Sequence, residues 1–102
     1  MAARKFEVQQ EVDGAYAFSG EMTIHDLEYL KEFLDSVGSR TKKVFISLQN
    51  VRFIDTASLQ LLIAFRKSLG KKGELSVTAV SPEVEKILEV SGLKSHVGLL
   101  AE

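Results

Sequence analysis

The sequence predicts an α/β domain with a mixed, mostly parallel sheet, and three observations carry that prediction. The apolar run of Val44, Phe45, Ile46 and Leu48 leads through a polar cluster into a long helical pattern, the strand, loop, helix order of a parallel sheet. Asp13-Gly14 separates two short segments of strand character, which marks an N-terminal β-hairpin. Beyond the hairpin, strand-like and helix-like stretches alternate, so the element order is β, β, α, β, α, β, α. Parallel strands joined by right-handed crossovers follow from that order, with helices packed against the sheet and function at the carboxyl ends of the strands.

The first strand is expected over Phe6 to Val12, where Phe6, Val8 and Val12 share one parity and the residues between them are polar or charged. Asp13 and Gly14 both tolerate positive φ, so they form the turn, and the second strand runs over Ala15 to Ser19. Gly20-Glu21-Met22 then leads to Thr23, an N-cap with Asp26 at capping-box spacing. Ile24, Leu27, Leu30, Phe33, Leu34 and Val37 recur every three or four residues as the buried face of the first helix, and Gly38 is its expected stop. The central strand, Val44 to Leu48, reads as buried on both faces, and QNVRFI after it reads as a short loop.

The second helix begins at Asp55 and runs through Thr56 to Leu69, before a polar Gly70-Lys71-Lys72-Gly73 turn. Glu74 to Val80 is the fourth strand, with Leu75, Val77 and Ala79 alternating. Ser81-Pro82-Glu83 opens the third helix with a capping serine, a proline at the first helical position and an acid in the first turn. Val84, Ile87, Leu88 and Val90 supply its buried face, Ser91-Gly92-Leu93 ends it, and Val97 to Leu100 reads equally as a short strand or a short helix.

Composition narrows the function. The 102 residues suffice for one domain over 1–102, and the hydrophobic fraction of 45% with 26% charged residues is that of an ordinary globular protein. A net charge of −1 with dispersed Lys and Arg argues against nucleic acid and against anionic membranes as partners. No apolar stretch is long enough for a signal peptide or a membrane span, so no direct membrane insertion is expected. Without cysteine there is no disulfide or thiolate chemistry, which fits the cytoplasm as the expected location. His25 and His96 stand far apart with no partner at ligand spacing, and no serine has a visible His and Asp arrangement, so neither a metal site, a cofactor nor an enzyme is expected.

The chemistry that remains is at the start of the second helix. Asp55 is an N-cap whose carboxylate can accept first-turn N–H groups, and Thr56 places a hydroxyl at the positive end of the helix dipole and the end of the sheet. Along the helix, Leu59, Leu62 and Ile63 form one apolar stripe, and Ala57, Leu61 and Ala64 form another that is either buried as well or open to a partner.

These residues carry a family resemblance over essentially the whole chain. The GEM segment before the first helix, the apolar strand followed by FIDTASLQLLIAF, and SPEVEKILEVSGL near the end, in this order and spacing, resemble a STAS domain of the bacterial anti-sigma factor antagonist family. The resemblance implies a protein-binding signalling module in transcription regulation. Its partner would be an anti-sigma factor that is also a serine/threonine kinase, its phosphoacceptor Thr56, and a phosphatase would reverse the modification. Asp55, Thr56, Ala57, Ser58, Leu61 and Ala64 are the residues expected at the partner surface. The chain differs from the family pattern in having Thr56 for the usual serine, Ser58 for a common glycine and Thr23 for a common acid. Two other readings stay open: a non-phosphorylated STAS adaptor of a chemotaxis-type or lipid-transport complex, and a domain that binds a nucleotide or another anion at the helix N-terminus.

Overall fold

The computed structural model of the chain describes residues 4–70 and 73–97. Four strands, β1 (Phe6–Gln10), β2 (Tyr16–Met22), β3 (Lys43–Ile54) and β4 (Glu74–Val80), form one sheet in the order β1-β2-β3-β4. β1 and β2 are antiparallel, whereas β2 with β3 and β3 with β4 are parallel. The connections between the parallel strands are α1 (Leu27–Arg40) and α2 (Thr56–Ser68), and α3 (Pro82–Ser91) follows β4. This is the mixed sheet with an N-terminal hairpin that the sequence predicts.

Helices cover one face of the sheet. Phe33 of α1 meets Tyr16 and Phe18 edge-on at centroid distances of 5.2 and 5.6 Å. Tyr16 is in register with Ile46, and Ile46 with Val77, so these three share the covered face. Leu59 and Leu62 of α2 and Val84 and Leu88 of α3 complete the same core. On the opposite face Gln9, Ala17 and Ser47 lie side by side and keep contact with solvent. The expectation that the central strand is buried on both faces is therefore corrected: burial alternates, with Val44, Ile46 and Leu48 inside and Phe45 39% exposed.

Several boundaries also move, each for a physical reason. β3 does not stop at Leu48; the stretch expected as a loop continues the strand, because Val51 and Ile54 pair with Gly20 and Met22 and are buried. β2 correspondingly runs on to Met22 rather than ending at Ser19. Gly20 makes this possible: its φ of 97° suits glycine, and a Cβ there would collide with the Lys5 carbonyl oxygen. β1 ends at Gln10, leaving Val12 in solvent, and the hairpin connection spans Glu11 to Ala15 instead of two residues. Asp13 still shapes it, through a 3.0 Å hydrogen bond from the Ala15 amide to its carboxylate.

Gly38 does not end α1, which continues to Arg40. A Cβ at Gly38 would lie 2.9 Å from the Phe65 ring, so its absence lets α1 and α2 pack closely. Ahead of α1, residues Ile24–Asp26 form a 3-10 turn rather than the first turn of the helix, and Ile24 is 63% exposed instead of buried. Ser81 caps α3 as expected, accepting from the Val84 amide, and its hydroxyl donates to the Val51 carbonyl at 2.6 Å. Gly92 ends α3 in the left-handed conformation, while Val90 is exposed and outside the core. Lys71, Lys72 and most of the terminal element expected over Val97 to Leu100 lie outside the described residues; Val97 itself is buried.

Candidate functional site

The carboxyl ends of β2 and β3 lie side by side, with Met22 opposite Ile54. Asp55 follows directly, its carbonyl accepting from the Leu59 amide at 3.0 Å, and three further hydrogen bonds fix it. Its amide donates to the Met22 carbonyl at 3.0 Å. One carboxylate oxygen accepts from the Ser58 amide at 2.9 Å, the N-cap bond that the sequence predicts. The other accepts from the Ile24 amide at 2.7 Å. Asp55 thus caps α2 and also holds the turn that leaves β2.

Thr56 is the first residue of α2 and is exposed. Its hydroxyl sits at the helix N-terminus, where the dipole and the unpaired first-turn N–H groups favour a negative group. Ser58, two residues on, is only 1% exposed, and its hydroxyl has no hydrogen-bond partner among the described residues. The two hydroxyls are thereby distinguished: Thr56 is presented to solvent and Ser58 is enclosed.

The rest of α2 separates into the two stripes read from the sequence. Leu59, Leu62 and Ile63 are buried. Ala57 and Leu61 are half-buried and Ala64 is exposed, so the second stripe reaches the surface. Leu61 and Ala64 line a groove of about 190 Å³ between α1 and α2, closed on the α1 side by Lys31, Leu34 and Asp35. Lys31 and Asp35 form an exposed ion pair along that rim at 3.0 Å. Of the residues expected at a partner surface, Thr56 and Ala64 are exposed and Ala57 and Leu61 half-buried, and Leu61 and Ala64 meet at the groove. Asp55 stands beside them with its carboxylate engaged, and Ser58 lies beneath.

The first-helix cap differs from its expected form. Thr23 accepts from the His25 amide at 3.4 Å, and Asp26 does not reach back to Thr23 but accepts from the Lys5 amide at 2.9 Å. What the sequence did not reveal is the contribution of Ile24. Its apolar character and spacing assign it to the core, whereas its backbone is drawn to Asp55 and its side chain faces solvent. No local signal links two residues so distant in sequence. His25 and His96 lie in separate 3-10 turns on either side of α1 to α3, and no cluster of potential metal ligands is gathered among the described residues.

The STAS domain family matches residues 4–101. The chain belongs to that family. Among its relatives, an anti-sigma F factor antagonist from Paenibacillus polymyxa is 31% identical, over 74% of this chain and 67% of the relative. The crystal structure of an anti-sigma factor antagonist from Mycobacterium paratuberculosis superposes with a TM-score of 0.80 at 22% identity, covering 100% of this chain and 92% of that one. The anti-sigma factor antagonist SpoIIAA in its unphosphorylated form gives a TM-score of 0.69 at 18% identity, over 95% of this chain and 89% of that one. The chain shares its fold with both solved structures, and no helix among the described residues is long and apolar enough to cross a membrane.

Proposed function

We propose that this STAS domain is a regulatory module that binds an anti-sigma factor with serine/threonine kinase activity and is switched by phosphorylation of Thr56. The observation that carries the reading is the contrast between Thr56, exposed at the start of α2, and Ser58, enclosed below it. Kinship with an anti-sigma F factor antagonist supports the class of partner. In the modification the Thr56 hydroxyl oxygen forms a bond to the γ-phosphorus of a nucleoside triphosphate held by the partner. The bond to the diphosphate breaks, and the hydroxyl proton passes to a base on the kinase. A phosphatase returns the hydroxyl by hydrolysis.

The unmodified surface of Thr56, Ala57, Leu61 and Ala64 is small-residued and partly apolar, suited to close approach by a protein. A phosphate adds roughly −1.5 to −2 charges in its midst. An interface that accepts the neutral hydroxyl must then desolvate that charge next to Asp55, so binding weakens with no large change of fold. The test uses a purified kinase-type anti-sigma factor from the same cells, with ATP. Phosphate is expected to enter the wild-type chain and not Thr56→Ala, and Thr56→Glu is expected to bind at least about tenfold more weakly, a change of about 1.4 kcal/mol. Equal binding of wild type and Thr56→Glu, with no transfer of phosphate, would instead favour a constitutive adaptor.

A further inference from the structure

We infer that Asp55 transmits the charge state of Thr56 to the Ile24–Asp26 turn, so that phosphorylation loosens the presentation of Ile24 as well as altering the face of α2. The inference rests on Thr56 being the phosphoacceptor and extends that reading to a second segment of the surface.

Three observations lead to it. Both oxygens of the Asp55 carboxylate are committed, one to the Ser58 amide at 2.9 Å and the other to the Ile24 amide at 2.7 Å. The Ile24 bond, at 2.7 Å, is shorter than Asp26 amide to Thr23 carbonyl at 3.0 Å, Lys5 amide to Asp26 at 2.9 Å and His25 amide to Thr23 hydroxyl at 3.4 Å, and the Ile24 carbonyl accepts from the Leu27 amide at the start of α1. The Ile24 side chain, 63% exposed, adds little packing to hold the turn in place. The Ile24 amide is therefore held by one carboxylate, and that carboxylate is adjacent to Thr56.

A phosphate on Thr56 would act on that carboxylate in two ways. It repels it, since both carry negative charge and lie on neighbouring residues. It also competes with it, because both groups accept from the small set of N–H donors at the mouth of α2. Repulsion, together with loss of the Ser58 amide that anchors the carboxylate, shifts Asp55 from its place and so weakens the bond to Ile24, the arm of the clamp that reaches away from the helix. The exposed Ile24 is then no longer held in place by Asp55, and a partner that contacts both segments loses a second set of contacts.

The experiment places genetically encoded phosphothreonine at position 56 and measures backbone amide exchange by NMR, with the buried Leu62 amide as the monitor of global stability. Phosphothreonine is expected to speed exchange at Ile24 by at least about tenfold, with Leu62 unchanged, while Thr56→Val leaves Ile24 as in the unmodified protein. In Asp55→Ala, where both acceptor oxygens are removed, Ile24 is expected to exchange fast from the start relative to Leu62 and phosphothreonine to add nothing. Unchanged exchange at Ile24 on phosphorylation, or the same acceleration in Asp55→Ala, would overturn the transmission. If partner binding were lost on phosphorylation while Ile24 stayed protected, the transmission would fail and the switch at Thr56 would stand.

Discussion

Three neighbouring residues have different physical tasks, and substitution separates them. Ser58 encloses a hydroxyl without a partner among the described residues, a cost that alanine removes while favouring the helix. Ser58→Ala is therefore expected to raise the unfolding free energy by about 1 kcal/mol in urea titrations. Asp55→Ala removes an N-cap and the bond to Ile24 together and should lower it by about 2 kcal/mol. Thr56→Ala, at an exposed first-turn position, should stay within about 0.5 kcal/mol of wild type. The proposed role of Thr56 asks for a residue that matters to binding and hardly to stability. The capping role of Asp55 was legible in the sequence because the bond to Ser58 is local. Its bond to Ile24 was not, because that contact exists only once β2 and β3 are paired and their ends are brought together.

At the scale of elements, the site depends on how α1 and α2 meet and on how far the central strands extend. Gly38 permits the helix contact by leaving room for the Phe65 ring. Gly38→Leu should destabilise the domain by about 2 kcal/mol, and in a double-mutant cycle with Phe65→Ala the two effects should be clearly non-additive, since each acts on the same contact. Chemical denaturation of the four proteins in the cycle measures this. Sequence periodicity found all three helices and the hairpin, because their apolar spacing is regular, but it gave the hairpin a two-residue turn, ended α1 at Gly38 and drew Ile24 into it. It shortened β3, because Gln49 and Asn50 read as a loop; they lie where the register between β2 and β3 shifts, and only the pairing of Val51 and Ile54 beyond them reveals a continuing strand. The misreading of Ile24 has a similar origin. Its spacing continues the α1 stripe, but the 3-10 turn rotates it off the covered face.

Over the whole molecule, one face of the sheet carries the helices and the parallel strand ends deliver α2 and the β2 exit to a common rim. The rim combines an exposed hydroxyl, a helix N-terminus, a clamped turn and the small, partly apolar side of α2. In the proposed function the transferring chemistry is the partner's, and the chain supplies an acceptor and a surface. The central claim is that Thr56 is the regulated hydroxyl. It is tested most directly by phosphopeptide mass spectrometry on the protein taken from its native cells under several growth conditions, with Thr56 resolved from Ser58. Phosphate on Thr56 that changes with condition, and none on Ser58, is the expected result. A well-detected peptide that is unmodified at Thr56 in every condition would contradict the claim and leave the domain as a constitutive binding subunit.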